Sequence, residues 1–240
     1  MAWQHYVAIG DSLTAGTGDP VPGIEHLSWS DRLAAALGQL HPGFEYHNLA
    51  VRGKTTGDML AEQLPAALGL RPDLVSILAG GNDVRSPSWT PEHYRANLIR
   101  LVEPFMAFDT TLFLVAMIDN WASLPTGIRE RQRPLYDRIA QVNQVVREVA
   151  RDYGLLLVDL ERVEALHGME MISADFVHAN SFGYIRIAAE VARQLAAQTG
   201  ALIQHESLDF PDLALEKHRV FREMLHQFEA PAATIQEFVS

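Results

Sequence analysis

The 240-residue sequence contains no cysteine. That excludes disulfide scaffolds, thiolate zinc sites, c-type haem attachment and cysteine nucleophiles, so any covalent chemistry must run through oxygen or nitrogen. Positive charge is also scarce: 19 Lys and Arg stand against 30 Asp and Glu, a net charge of −11. A surface of that sign repels phosphate backbones and anionic headgroups, which argues against nucleic acid and membrane surfaces as partners. Uncharged apolar runs are short, and none approaches the ~20 residues of a membrane span. The apolar run at residues 6–9 has no basic stretch before it, so no secretory leader is expected and the expected location is cytoplasmic. Repeats and low-complexity segments are missing as well. What is present, 48% hydrophobic and 20% charged residues, is the balance of an ordinary globular protein, for which a small-molecule site is the first expectation.

Five short apolar runs, at residues 6–9, 45–49, 74–79, 112–118 and 155–160, read as strands. They alternate with segments of three- and four-residue apolar spacing at 31–37, 56–68, 91–108, 133–153 and 181–198, which read as helices. Such alternation is the pattern of βαβ units, and it predicts an α/β fold around a mostly parallel sheet. Thr90 and Pro91 supply a cap and a first-turn proline for one helix, and Gly154 ends another.

Ligands of open parallel sheets bind outside the carboxyl ends of the strands. The first strand ends in Gly10-Asp11-Ser12-Leu13, the second leads to Gly53, the third to Gly80-Gly81-Asn82-Asp83, and Asp175-Phe176-Val177-His178 precedes the last helix. A serine hydroxyl is a weak nucleophile until a base takes its proton, and Gly-Asp-Ser is equally good turn chemistry. Asp175 and His178, three residues apart, are the types that form the orienter-and-base half of a triad, although a polar turn before a helix would use them too. Acyl transfer also needs donors aimed at a developing oxyanion. A loop glycine such as Gly53 and an amide such as Asn82 are suitable, and both are also common in tight turns.

Taken in order, Gly10 to Leu13, Gly53, Gly80 to Asp83 and Asp175 to His178 resemble the conserved blocks of the GDSL, or SGNH, hydrolases, a branch of the serine esterases and lipases. The resemblance implies a flavodoxin-like three-layer α/β/α fold with a five-stranded parallel sheet, with residues 1–200 as the hydrolase domain. It implies Ser12 as nucleophile, His178 as base and Asp175 as its orienter. The Ser12 and Gly53 N–H groups and the Asn82 amide would form the oxyanion hole. The implied substrate is a small-molecule ester of an alcohol, sugar or lipid, with no metal and no organic cofactor. An acyltransferase with the same triad, or a non-catalytic ligand-binding member, would share these residues. Family members commonly carry proline after the histidine; Ala179 stands there instead, which predicts a looser loop.

Other motifs are incomplete. Gly53-Lys54-Thr55 resembles the end of a P-loop, but the required earlier glycine is Asn48, and Gly16-Thr17-Gly18 lacks the third small residue of a dinucleotide fingerprint. Gly-x-Ser-x-Gly, the α/β-hydrolase elbow, is absent. Trp89 and Trp121 fall near the functional edge and are candidates for a substrate-pocket wall or for loop anchors. Arg129, Arg131 and Arg133 form a basic cluster that fits a solvated helix start better than an anion site. Residues 201–240 form an acidic extension in which Leu213, Val220, Phe221, Met224, Leu225 and Phe228 share one stripe. A helix packed on the core or used for homo-oligomerisation is expected there.

Overall fold

The computed structural model describes residues 3–201 and 203. The expected C-terminal helix, with its packing or oligomeric role, lies outside the described residues. All five strands are present: β1 (His5–Gly10), β2 (Glu45–Asn48), β3 (Leu74–Leu78), β4 (Thr111–Ala116) and β5 (Leu156–Asp159). They pair in parallel in the order β2-β1-β3-β4-β5. This is the flavodoxin-like order, in which the chain leaves β1 and β3 toward opposite faces and opens a crevice at their carboxyl ends. β1, β3 and β4 are almost wholly buried, as a sheet covered on both faces requires.

One face is covered by α1 (Trp29–Gly38) and α6 (Ser181–Thr199). The other carries α2 (Thr56–Asp58), α3 (Leu64–Leu70), α4 (Pro91–Val102) and α5 (Thr126–Tyr153). The three layers are those expected. Helix starts follow local chemistry: Ser28 and Asp31 form a reciprocal capping box at α1, Thr90 accepts from the His93 N–H at α4, and Asn180 accepts from the Gly183 N–H at α6.

Three helices differ from their predicted spans, and a proline is involved each time. The predicted helix at 56–68 is interrupted by a π turn at Met59–Gln63. Pro65 offers no N–H to the carbonyl four residues back, and the turn widens just before it. The helix predicted to 108 closes at Val102, and a 3-10 segment at Glu103–Ala107, with Pro104 in its first turn, follows. The helix predicted from 133 begins earlier, at Thr126, and carries Pro134 inside it. Arg129 in the added segment and Arg133 just after it lie over the Trp121 ring, at 5.3 and 5.4 Å, so two of the three clustered arginines anchor a loop.

At the end of α3, Arg71 adopts the left-handed conformation with φ 52°. A side chain there costs on the order of 1 kcal/mol that glycine does not. Arg71→Gly is therefore expected to raise unfolding free energy by about 0.5–1 kcal/mol, measured by urea denaturation.

Candidate active site

Three loops at the carboxyl ends of the strands meet around Ser12. A helical turn follows β1, closed by Ala15 N–H to Asp11 C=O at 2.9 Å and Thr17 N–H to Ser12 C=O at 2.9 Å. Asn48, at the end of β2, donates to the Thr14 carbonyl at 2.8 Å and secures that turn from below. Gln63 secures it from the side. Its amide donates to Gly10 C=O at 2.9 Å and accepts from Gly10 N–H at 3.0 Å, continuing the ladder where β1 leaves the sheet. Gln63 belongs to the π turn and is buried. Sequence reading passed over it, although a polar residue between Leu60 and Leu64 on an apolar stripe was a usable signal.

The loop before α6 is stitched to the loop after Ser12. Asp19 N–H donates to Ser173 Oγ at 2.8 Å, Asp19 Oδ2 accepts from Ala174 N–H at 2.7 Å, and Ser181 N–H donates to Asp19 C=O at 3.1 Å. Gly18 passes so close that a Cβ would sit 1.9 Å from the Ala179 carbonyl oxygen. Only glycine allows this approach. Ala179 bridges Ile172 in antiparallel fashion and its carbonyl accepts from Ser173 Oγ at 3.1 Å, while Ser173 N–H donates to His178 C=O at 2.8 Å. These bonds restrain the loop where the family's proline is missing, so the predicted loosening is not seen in its hydrogen bonding.

Within that loop Asp175 Oδ1 accepts from the N–H groups of Val177 and His178, at 2.9 and 3.0 Å. Phe176 takes a φ of 60° between them, held by its burial against Leu124 and Ile172. The turn presents His178 edge-on. Its Nδ1 lies 2.5 Å from Asp175 Oδ2 and its Nε2 lies 2.8 Å from Ser12 Oγ. With Nδ1–H donating to the carboxylate, Nε2 is left to accept from the serine hydroxyl. Ser12 and His178 are 7% and 8% exposed, so the pair is reachable but largely dry.

Two carboxyls face this imidazole in different environments. Burial disfavours the charge on Asp175, but hydrogen bonds from the His178 ring and from the His178 and Val177 N–H groups outweigh it and hold its pKa below the ordinary carboxylate value. Asp11 is the reverse: burial pushes its pKa up to about 6 against the opposing effects of the Leu13 N–H and His178.

The three suggested oxyanion donors differ in how they are engaged. Gly53 has φ 83°, a left-handed conformation suited to glycine, and open space where a side chain would be. Among the described residues neither the Gly53 N–H nor the Ser12 N–H has a hydrogen-bond acceptor. The Asn82 amide donates to Lys54 C=O at 3.1 Å and, over a long 3.4 Å, to Asp11 Oδ2. Asp83 ties the Gly53 and Asn82 loops together by accepting from the Thr56 N–H with both carboxylate oxygens, at 3.2 and 3.0 Å, and from the Thr56 hydroxyl.

A cavity of about 100 Å³ opens beside these groups. Its wall includes Leu13, Gly81 and Val177, the chain neighbours of Ser12, Asn82 and His178, together with Met117, Leu135 and Ile139. Trp89 and Trp121 do not line it. Trp121 donates from Nε1 to Arg129 C=O at 3.0 Å beneath its two arginines, and Trp89 packs under Arg138 at 5.7 Å. Of the two roles open to them in the sequence, these contacts fit the loop anchor. The P-loop-like Lys54 pairs with Glu62 at 2.7 Å. Among the described residues no helix is long and apolar enough to cross a membrane.

A doubly wound sheet carrying this serine, imidazole and carboxylate series at its carboxyl edge has the build of a serine hydrolase. The model of the GDSL-like lipase/acylhydrolase family matches residues 8–186, and the chain belongs to that family. Among solved structures it is similar to a lipase/acylhydrolase from Enterococcus faecalis, with 24% identity, 81% of this chain and 96% of that chain covered, and a TM-score of 0.65. The acetylxylan esterase Axe2 from Geobacillus stearothermophilus matches at 20% identity over 80% of this chain and 94% of its own, TM-score 0.63. The psychrotrophic esterase EstA from Pseudoalteromonas sp. matches at 18% over 82% and 100%, TM-score 0.61. At these identities the structural likeness establishes the fold. No curated protein sequence matches the chain.

The Asp11 environment has a consequence for stability. Its folded pKa of about 6 lies above the unfolded value of 3.8, so the folded state binds the extra proton between those values and wild-type stability falls as pH rises through that window. The loss amounts to about 3 kcal/mol at most. Asp11→Asn should lack this loss, gaining on wild type between pH 4 and pH 7 in urea unfolding.

Proposed function

We propose that the chain hydrolyses carboxylic esters through an acyl-enzyme on Ser12. The observation that carries this reading is the continuous hydrogen-bonded series from Ser12 Oγ through His178 to Asp175; among the described residues the Ser12 and Gly53 N–H groups are left without an acceptor. As Ser12 Oγ attacks the ester carbonyl, its proton passes to His178 Nε2. Asp175 holds the ring in the productive tautomer and stabilises the imidazolium. The carbonyl oxygen becomes an oxyanion that accepts from the Ser12 and Gly53 N–H groups. The Asn82 amide supplies a third donor by exchanging its long bond to Asp11 for one to the substrate. Collapse expels the alcohol, which takes the proton from His178, and a water molecule then attacks the acyl-enzyme by the same route to regenerate Ser12. No step calls for a metal or an organic cofactor.

The apolar cavity is proposed to take the acyl chain. One water-sized site needs about 10–15 Å³ of such space, so about 100 Å³ holds on the order of seven to ten methylene-sized groups. This favours medium-chain acyl esters over acetyl esters, whatever the alcohol.

Ser12→Ala and His178→Ala are each expected to lower kcat by several orders of magnitude with the fold intact by circular dichroism, because triad members act as a unit. Asn82→Ala should cost about 10²–10³ in kcat; a change confined to KM would make it a binding residue instead. Near-wild-type turnover in the Ser12 or His178 variant would exclude the mechanism. Along a series of p-nitrophenyl esters, kcat/KM should peak at about seven to ten acyl carbons and shift to shorter chains in Leu135→Trp. Added alcohols that capture most of the acyl group would favour transfer over hydrolysis.

A further inference from the structure

At the amino ends of β1 and β2, the end of the sheet away from Ser12, the parallel register pairs His5 with Glu45 and Val7 with His47. Alternation along each strand then places His5, Glu45 and His47 on one face of the sheet at its edge. Their ligand atoms all lie within 4.8 Å of one another, and the two imidazole centroids are 5.2 Å apart with the rings tilted by 56°. His5 Nε2 is buried without a hydrogen-bond partner, a state that a polar atom ordinarily avoids. The strand beneath it is rigid: His5 N–H donates to Asp73 Oδ1 at 3.0 Å, and His5 C=O accepts from Asp73 N–H at 3.1 Å. Three ligands of metal-binding type thus project from well-anchored backbone, and one of them holds an unused nitrogen.

We propose that His5, Glu45 and His47 bind a divalent transition-metal ion, Zn²⁺ by the chemistry of the donors. Two imidazoles and one carboxylate suit zinc, whereas Mg²⁺ and Ca²⁺ prefer all-oxygen sets. Small side-chain rotations bring the ligand atoms to the roughly 2.0–2.2 Å that zinc requires, and water completes the tetrahedron. β1 has six residues, so at about 3.3 Å per residue the ion would sit about 16 Å from Gly10. At that distance it takes no part in the ester chemistry. It staples β2, the edge strand, to β1 and gives the outermost strand an attachment besides its ladder with β1.

The test is zinc titration of the full chain after chelator treatment, by isothermal calorimetry and thermal melting. The expected result is one ion per chain at micromolar or tighter affinity and a Tm higher by several degrees, with no rise from Mg²⁺ at the same concentration. His47→Ala and Glu45→Gln should each weaken binding at least tenfold and remove the Tm gain while melting like wild type without metal. Should His47→Ala melt early without metal, Glu45→Gln, which preserves side-chain shape, decides the result. Failure of the wild type to bind zinc, or binding that survives both substitutions, would overturn the proposal.

Discussion

The hydrogen bond between Ser12 Oγ and His178 Nε2 joins residues 166 positions apart, and most of the irregular structure at the carboxyl edge of the sheet serves to hold it at 2.8 Å. Neither partner sits on a regular element. Ser12 is in a turn just beyond β1, and His178 is in a loop just before α6. Flexible loops would separate them, since ordering each residue costs about 1–2 kcal/mol of backbone entropy. The chain offsets this with cross-loop bonds: Asp19 to Ser173, Ala174 and Ser181, Gly18 against Ala179, and Tyr184 Oη to Thr17 C=O at 2.7 Å. His26 adds two more, at 2.8 Å to Ser181 Oγ and 2.9 Å to Gly16 C=O. Ser12 and His178 are therefore held in place by the fold itself, which under the proposed mechanism is where positioning contributes most to rate.

The same problem recurs at the ends of β1, β3 and β4, and similar solutions appear. Where a strand leaves the sheet its last N–H and C=O lose their ladder partners while still buried, and an unmet polar group there costs about 1–3 kcal/mol. Gln63 satisfies both groups of Gly10 beyond β1. Asn143, fully buried in α5, does the same for Met117 beyond β4, accepting at 2.8 Å and donating at 2.9 Å. Tyr94 of α4 donates to Ala79 C=O at 3.0 Å beyond β3. Helix side chains thus end the strands, and the helices that cover the sheet also fix the loops that carry the chemistry.

These dependencies explain what the sequence disclosed. The five strands were legible because buried parallel strands are short continuous apolar runs, and the helices because their apolar stripes are amphipathic. Ser12, Gly53, Asn82, Asp175 and His178 were legible as candidates because they fall in turn-rich loops between strands and helices, but their roles came only from the resemblance of the ordered blocks to a known family. Gln63 and Asn143 were not, because each is a single polar residue in an apolar helical stripe whose partner is backbone far away in sequence. Trp89 and Trp121 show the converse. Their position near the functional edge was readable, but whether an aromatic faces a cavity or an arginine depends on packing that no local pattern records. The π turn at Met59–Gln63 was also hidden, since Pro65 signals a local disturbance without specifying its form.

The central claim is that His178 activates Ser12 as a covalent nucleophile. It is tested most directly by exposing the protein to a p-nitrophenyl phosphonate and locating the adduct by intact-mass and peptide mass spectrometry. The account predicts one phosphonyl group per chain, on Ser12, with labelling slowed by orders of magnitude in His178→Ala. Labelling elsewhere, no labelling, or labelling of Ser12 at the same rate without His178 would contradict it.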